Sequence, residues 1–142
     1  MHGSIDQLTK ALDCDGSNIE EKDKGGNTAL IIAAMSGNQA MVKMLLDRGA
    51  DTEARNHGGH TALMRASARG RFETCKILID IGNADVHATD NNGDSVVQHA
   101  HLGHHEETER HLSAHIKKRE IRLQEESKKA KEASGSAKDA EL

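Results

Sequence analysis

Residues 23–55 read DKGGNTALIIAAMSGNQAMVKMLLDRGADTEAR, and residues 56–89 read NHGGHTALMRASARGRFETCKILIDIGNADVHAT. Laid over one another, the two stretches match at their punctuation. Gly26 falls on Gly59, Thr28 on Thr61, Leu30 on Leu63, Ala33 on Ala66, Gly37 on Gly70, Lys43 on Lys76, Leu45 on Leu78, Gly49 on Gly82 and Asp51 on Asp85. The second copy carries one extra residue near Asn83. A degraded third copy opens at Asp90 with DNNGDSVVQHAH and keeps Gly93, Ser95, Val97 and Ala100 in register. Self-similarity at this period is the mark of a repeat architecture, in which each unit buries its apolar face only against its neighbours.

Each copy has a physical reading. Thr28, Thr61 and Ser95 precede short apolar runs and are placed to accept orphan N–H groups at helix starts. The first helix is expected over 29–36, and the glycines Gly37 and Gly70 permit the left-handed turn that ends such a helix. A second helix is expected over 39–48, with Met41, Val42, Leu45 and Leu46 at helical spacing. Gly49 and Gly82 stop the second helices, and the chain then runs extended and turns back, so a unit is a helix hairpin plus a β-turn finger.

The stretches GGNTALIIAAMSGNQAMVKMLLDRGAD and GGHTALMRASARGRFETCKILIDIGNAD resemble the ankyrin repeat family. That resemblance implies an all-α fold: an ankyrin-repeat solenoid of helix-turn-helix units joined by β-turn fingers, here followed by a long C-terminal helix. The expected organisation is a partial repeat over 1–22, repeats over 23–55 and 56–89, a degenerate capping repeat over 90–112, an extended charged helix over 113–133 and a disordered tail over 134–142. The chain departs from the family pattern in having no proline: Ala29, Ala62 and Val96 stand at that helix-start position. The histidine of the pattern is replaced by Ile31, Met64 or Gln98, which is expected to weaken helix starts.

The family alignment also disposes of a decoy. Residues 13–23, DCDGSNIEEKD, look like a calcium loop, yet the glycine comes two residues early and Lys24 stands where the closing glutamate must be. The stretch aligns with RGADTEARN, a helix end and its finger. The chain is then expected to begin inside a repeat, leaving Leu8, Leu12 and Leu30 partly uncovered.

Composition narrows the function. With one Phe and no Trp, Tyr or Pro, the core must be aliphatic, and 30% charged residues suit a thin, well-hydrated stack. A net charge of −4 argues against nucleic acid as the partner. No apolar run approaches the roughly 20 residues of a membrane span. Cys14 and Cys75 lack a paired spacing, which favours reduced thiols and a cytoplasmic setting, with nuclear as the alternative. No nucleophile–base set and no phosphate-binding glycine motif is found, so no enzyme activity and no cofactor are expected.

Six of the ten histidines lie within 99–115: His99, His101, His104, His105, His111 and His115. His111 and His115 share one helix face and could form half of a zinc site, but no carboxylate or cysteine nearby in sequence completes a set, so no metal ligand is assigned. From Glu106 the chain is rich in helix formers, with Leu112, Ile116 and Leu123 as a partial apolar stripe. A helix whose early turns cap the repeats is favoured over a coiled-coil arm, since the stripe does not sustain several heptads. The last 32 residues carry 8 Lys/Arg against 6 Asp/Glu, leaving 11 against 17 before them.

The resemblance implies a protein-interaction module or scaffold that binds its partner on the concave face of fingers and first helices. By repeat position the candidate residues are Lys24, Asn27, Met35, Ser36, Arg55, His57, His60, Arg65, Ala68, Arg69, Thr89, Asn91, Asn92 and Asp94. Three arginines and two histidines among them suit an acidic or phosphorylated partner segment. A monomer is expected, with a weak dimer through the uncapped N-terminal end as the alternative. Two other readings are a fragment of a larger multidomain protein and a histidine-rich metal binder.

Overall fold

A computed structural model describes residues 19–139. Among the described residues six helices follow one another: α1 (Ala29–Ser36), α2 (Gln39–Asp47), α3 (Ala62–Ala68), α4 (Phe72–Asp80), α5 (Val96–Leu102) and α6 (Glu106–Asp139). The first helices α1, α3 and α5 pack in a row, and α2, α4 and the start of α6 form a second row behind them. Among the described residues the only β-pairing is a single bridge between Thr89 and Ser95.

The helix starts are capped as the repeat predicts. The hydroxyls of Thr28 and Thr61 accept the N–H groups of Ile31 and Met64 at 3.4 Å. Ser95 goes further: its side chain accepts from Gln98 N–H while the Gln98 side chain accepts from Ser95 N–H, a complete capping box. Gln98 therefore strengthens a helix start that its departure from the family pattern was expected to weaken. Ile31 and Met64, at the equivalent positions, are buried at 1% and 0% exposure and serve as core.

Gly37 and Gly70 adopt φ of 71° and 69°, the left-handed turn between paired helices. The residue inserted in the second copy has a role of its own: Asn83 takes φ 51°, and in the third copy His104, rather than the neighbouring Gly103, takes φ 59°. Asparagine tolerates that region through short polar contacts, so an extra residue is absorbed without breaking the register.

The core is aliphatic: Leu30, Ile31, Val42, Leu45, Leu63, Met64, Leu78, Ile79, Val96 and Leu112 are all at most 2% exposed. Leu30, expected to be partly uncovered, is 2% exposed, and Leu8, Leu12 and the partial repeat before Ile19 lie outside the described residues. Cys75 is sealed in the same core, which pushes its thiol up to about 12; Cys14 lies outside the described residues.

The long helix begins at Glu106, inside the segment assigned to the capping repeat, with Glu106, Glu107 and Glu109 in its first turn, where acids complement the helix dipole. Its early turns close the stack: Leu112 is fully buried, Ile116 packs on the core, and the Thr108 hydroxyl donates to the Gly70 carbonyl at 3.2 Å. From Ile121 to Ser134 every residue is exposed, Leu123 included. The helix then runs past the expected boundary at 133 to Asp139, overlapping the tail expected from 134; no proline interrupts the chain there. Residues 140–142 lie outside the described residues.

Candidate functional site

The fingers are built on one repeated device. Asp23, Asn56 and Asp90 open the three turns, and the Oδ1 of each accepts the N–H groups two and four residues on. The donors are Gly25 and Asn27, Gly58 and His60, and Asn92 and Asp94, at 2.9–3.0 Å. Adjacent fingers are then tied together. His57 N–H donates to Gly25 C=O at 3.1 Å and Asn91 N–H to Gly58 C=O at 3.3 Å. Asn56 Nδ2 donates to Asn27 Oδ1 at 3.0 Å, and Asn91 Nδ2 to the His57 carbonyl at 3.2 Å.

Many of the residues assigned to partner binding are thus engaged within the stack. Asn27, His57, Asn91 and Asp94 join finger to finger or close their own turn, and the backbone N–H of Asn92 serves Asp90. Arg55 is exposed, yet its guanidinium donates to the carbonyls of Gly59 and Thr89, stapling one finger to the next. Lys24, Ser36, Arg69 and Thr89 are exposed, while Met35, Arg65 and Ala68 are half-buried along α1 and α3. Arg65 Nε lies 3.3 Å from Met35 Sδ, so the guanidinium spans the seam between adjacent first helices. Among the described residues no carboxylate forms an ion pair with Lys24, Arg65 or Arg69.

His60 is not an open surface residue. Its Nε2 lies 3.3 Å from Asp90 Oδ2, and His99 Nε2 lies 3.0 Å from that same oxygen. The two rings meet edge to face with centroids 5.1 Å apart. The Asp90 side chain is 1% exposed, His99 9% and His60 22%. Burial lowers the His60 pKa, helped by the nearby His99 and Arg65 and opposed by Asp90. Burial by itself would raise the Asp90 pKa. The N–H donors from Asp94 and Asn92, with the two histidines, outweigh it, so the carboxyl is held below its usual range.

The structure brings a carboxylate to two histidines, though not to the His111–His115 pair that spacing singled out. His60 and His99 stand 30 residues before and 9 after Asp90, and only the stacking of repeats brings them together. A signal was present: Asp90 is the third member of the Asp23, Asn56, Asp90 series, of which Asn56 and Asp90 each reach the preceding finger. His111 and His115, four residues apart on α6, turn to different neighbours. His111 stacks on Phe72 at 5.1 Å and approaches Glu107, whereas His115 Nε2 contacts Asp80 at 2.9 Å.

Helix hairpins in two rows, joined by projecting turns that hydrogen-bond in series, define a repeat protein in which each unit packs on its neighbours. The family model for ankyrin repeats, in three copies, matches residues 1–90, and the chain belongs to the ankyrin repeat family. As a family these repeats are protein-interaction modules and not enzymes. No curated protein matches the chain. Among the described residues no helix is long and apolar enough to cross a membrane.

Proposed function

We propose that this protein binds a partner protein on the face formed by its fingers and first helices, and that the partner contributes an anionic segment, acidic or phosphorylated. The observation that carries the reading is the pair Arg65 and Arg69. Both sit on or beside α3 at the centre of the stack, and neither has a carboxylate partner among the described residues. A core role explains neither: Ile32 holds the position of Arg65 in the preceding repeat, so a cation there is not a packing requirement. Guanidinium groups four residues apart share a helix face and match carboxylate or phosphate oxygens in fork geometry. Lys24, exposed on the preceding finger, is a further cation without a carboxylate partner among the described residues.

The test is the double variant Arg65→Ala, Arg69→Ala, assayed by titration calorimetry against the partner recovered from a pull-down. Loss of a desolvated arginine anchor costs about 2 kcal/mol or more, with helix content unchanged by circular dichroism. Unchanged affinity in a folded variant would move the binding surface elsewhere, for which truncation after Ser113 is the matching experiment.

A further inference from the structure

We propose that His60, Asp90 and His99 form a binding site for a divalent transition-metal ion of the zinc class, joining the repeat over 56–89 to the capping repeat that follows. Asn56 Oδ1 accepts the backbone N–H groups of Gly58 and His60, and its Nδ2 donates to Asn27, so the orientation of that amide is set. The Oδ1 can only accept, and His60 Nδ1 faces it at 3.2 Å. His60 Nδ1 therefore carries the hydrogen, which leaves the lone pair of the neutral ring on Nε2. That nitrogen lies 3.3 Å from Asp90 Oδ2.

The other two atoms share the predicament. Asp90 Oδ1 is satisfied by Asn92 and Asp94, but buried Oδ2 takes part in no hydrogen bond. Buried His99 Nε2, although 3.0 Å from Oδ2, is not aligned for a hydrogen bond either. Unpartnered polar atoms are uncommon in folded interiors, because each forfeits its hydration. Here they converge: one ligand atom from each residue lies within 4.8 Å of the others. Nitrogen and oxygen atoms held about 2.0–2.1 Å from a tetrahedral zinc ion stand about 3.3 Å apart, close to the 3.0 and 3.3 Å separations found. Two imidazoles and one carboxylate suit zinc-class ions, leaving one position for water. The Asn56 contact to Nδ1 is the outer hydrogen bond that orients a metal-bound histidine, and the His60 side chain, 22% exposed, gives the ion a way in.

The test uses the full chain, with Zn²⁺ alone as probe against a chelated control, followed by calorimetric titration and thermal melting. The expected result is one zinc per chain and a melting temperature several degrees higher with zinc in excess. Asp90→Asn separates a metal ligand from a structural carboxylate. The amide keeps the Oδ1 contacts and presents an N–H to the His60 lone pair. That variant should therefore fold at least as stably as the parent without zinc, yet lose zinc affinity on the order of 100-fold. His60→Gln should lose the affinity likewise, and His111→Gln with His115→Gln should retain it. The proposal is overturned if zinc fails to bind, or if Asp90→Asn and His60→Gln keep the parent's response. It is equally overturned if nitrogen-15 spectra show His60 carrying hydrogen on both nitrogens at neutral pH, unchanged by zinc, since a proton would then hold the place assigned to the metal.

Discussion

Two glycines allow the contribution of the finger ladder to be measured apart from backbone strain. Gly49 and Gly59 have nearly the same left-handed conformation, φ 82° and 78°. An alanine at Gly49 would meet nothing within 4 Å, so Gly49→Ala isolates the conformational cost of about 1–2 kcal/mol. A Cβ at Gly59 would lie 2.4 Å from Asn91 Oδ1 and 2.9 Å from the Asn91 backbone nitrogen. The side chain of Asn91 can rotate away, but its backbone cannot, so the next finger must shift. Two hydrogen bonds depend on that approach, Asn91 N–H to Gly58 at 3.3 Å and Asn91 Nδ2 to His57 at 3.2 Å. At about 1 kcal/mol each, their loss adds about 2 kcal/mol to the strain. Gly59→Ala should then cost about 3–4 kcal/mol against about 1–2 for Gly49→Ala. For a folded unit of this size the difference corresponds to a further drop of about 6–10 °C in melting temperature. Urea and thermal unfolding followed by circular dichroism read both values. Equal losses in the two variants would show that contacts between fingers add nothing to stability and that strain alone matters.

Further outcomes follow from the same contacts. Leu112→Ala, at the point where α6 seals the stack, should cost about 2–5 kcal/mol in urea unfolding, while Leu123→Ala on the projecting part should stay within about 0.5 kcal/mol. Arg55→Ala should lower the melting temperature through loss of its bonds to Gly59 and Thr89, whereas Arg65→Ala should change binding with little effect on stability. The Asn27 backbone N–H foremost, with further donors at the turn, holds the Asp23 carboxyl below its usual value of 3.8. The stability this contributes is present above that value and is lost as pH falls through the depressed one. Asp23→Asn, which copies the residue native at 56, should therefore narrow its stability gap to the parent as urea midpoints are taken from pH 7 to pH 3. Cys75 should resist alkylation at pH 8 in the folded protein and react only on unfolding, which a timed iodoacetamide reaction with mass readout checks.

The fold could be read from the chain because its determinants are local. Thr28, Thr61 and Ser95 act on N–H groups three residues away, and Gly37 and Gly70 act on their own backbone, so composition and spacing reveal them directly. The aliphatic positions of α1 to α4 repeat at helical spacing and fall in the core. Spacing did not reveal every role. Gln98 looked like a departure from pattern and completes a cap with Ser95 in its own repeat, and Arg55, an expected binding arginine, also staples two fingers through the Thr89 carbonyl 34 residues on.

The site shows the same division more sharply. The sequence determined that residues 23–112 form helix hairpins with projecting turns, and that Arg65 stands where Ile32 fills the preceding repeat, with Arg69 four residues on. Only the tertiary structure decided that Asp90 lies between His60 and His99, that His111 and His115 part toward Phe72 and Asp80, and that Leu112 seals the stack while Leu123 does not. The physical reason is distance along the chain. A cap or a turn is settled within four residues, but a carboxylate meets a histidine 30 residues earlier only once one repeat has stacked on the next.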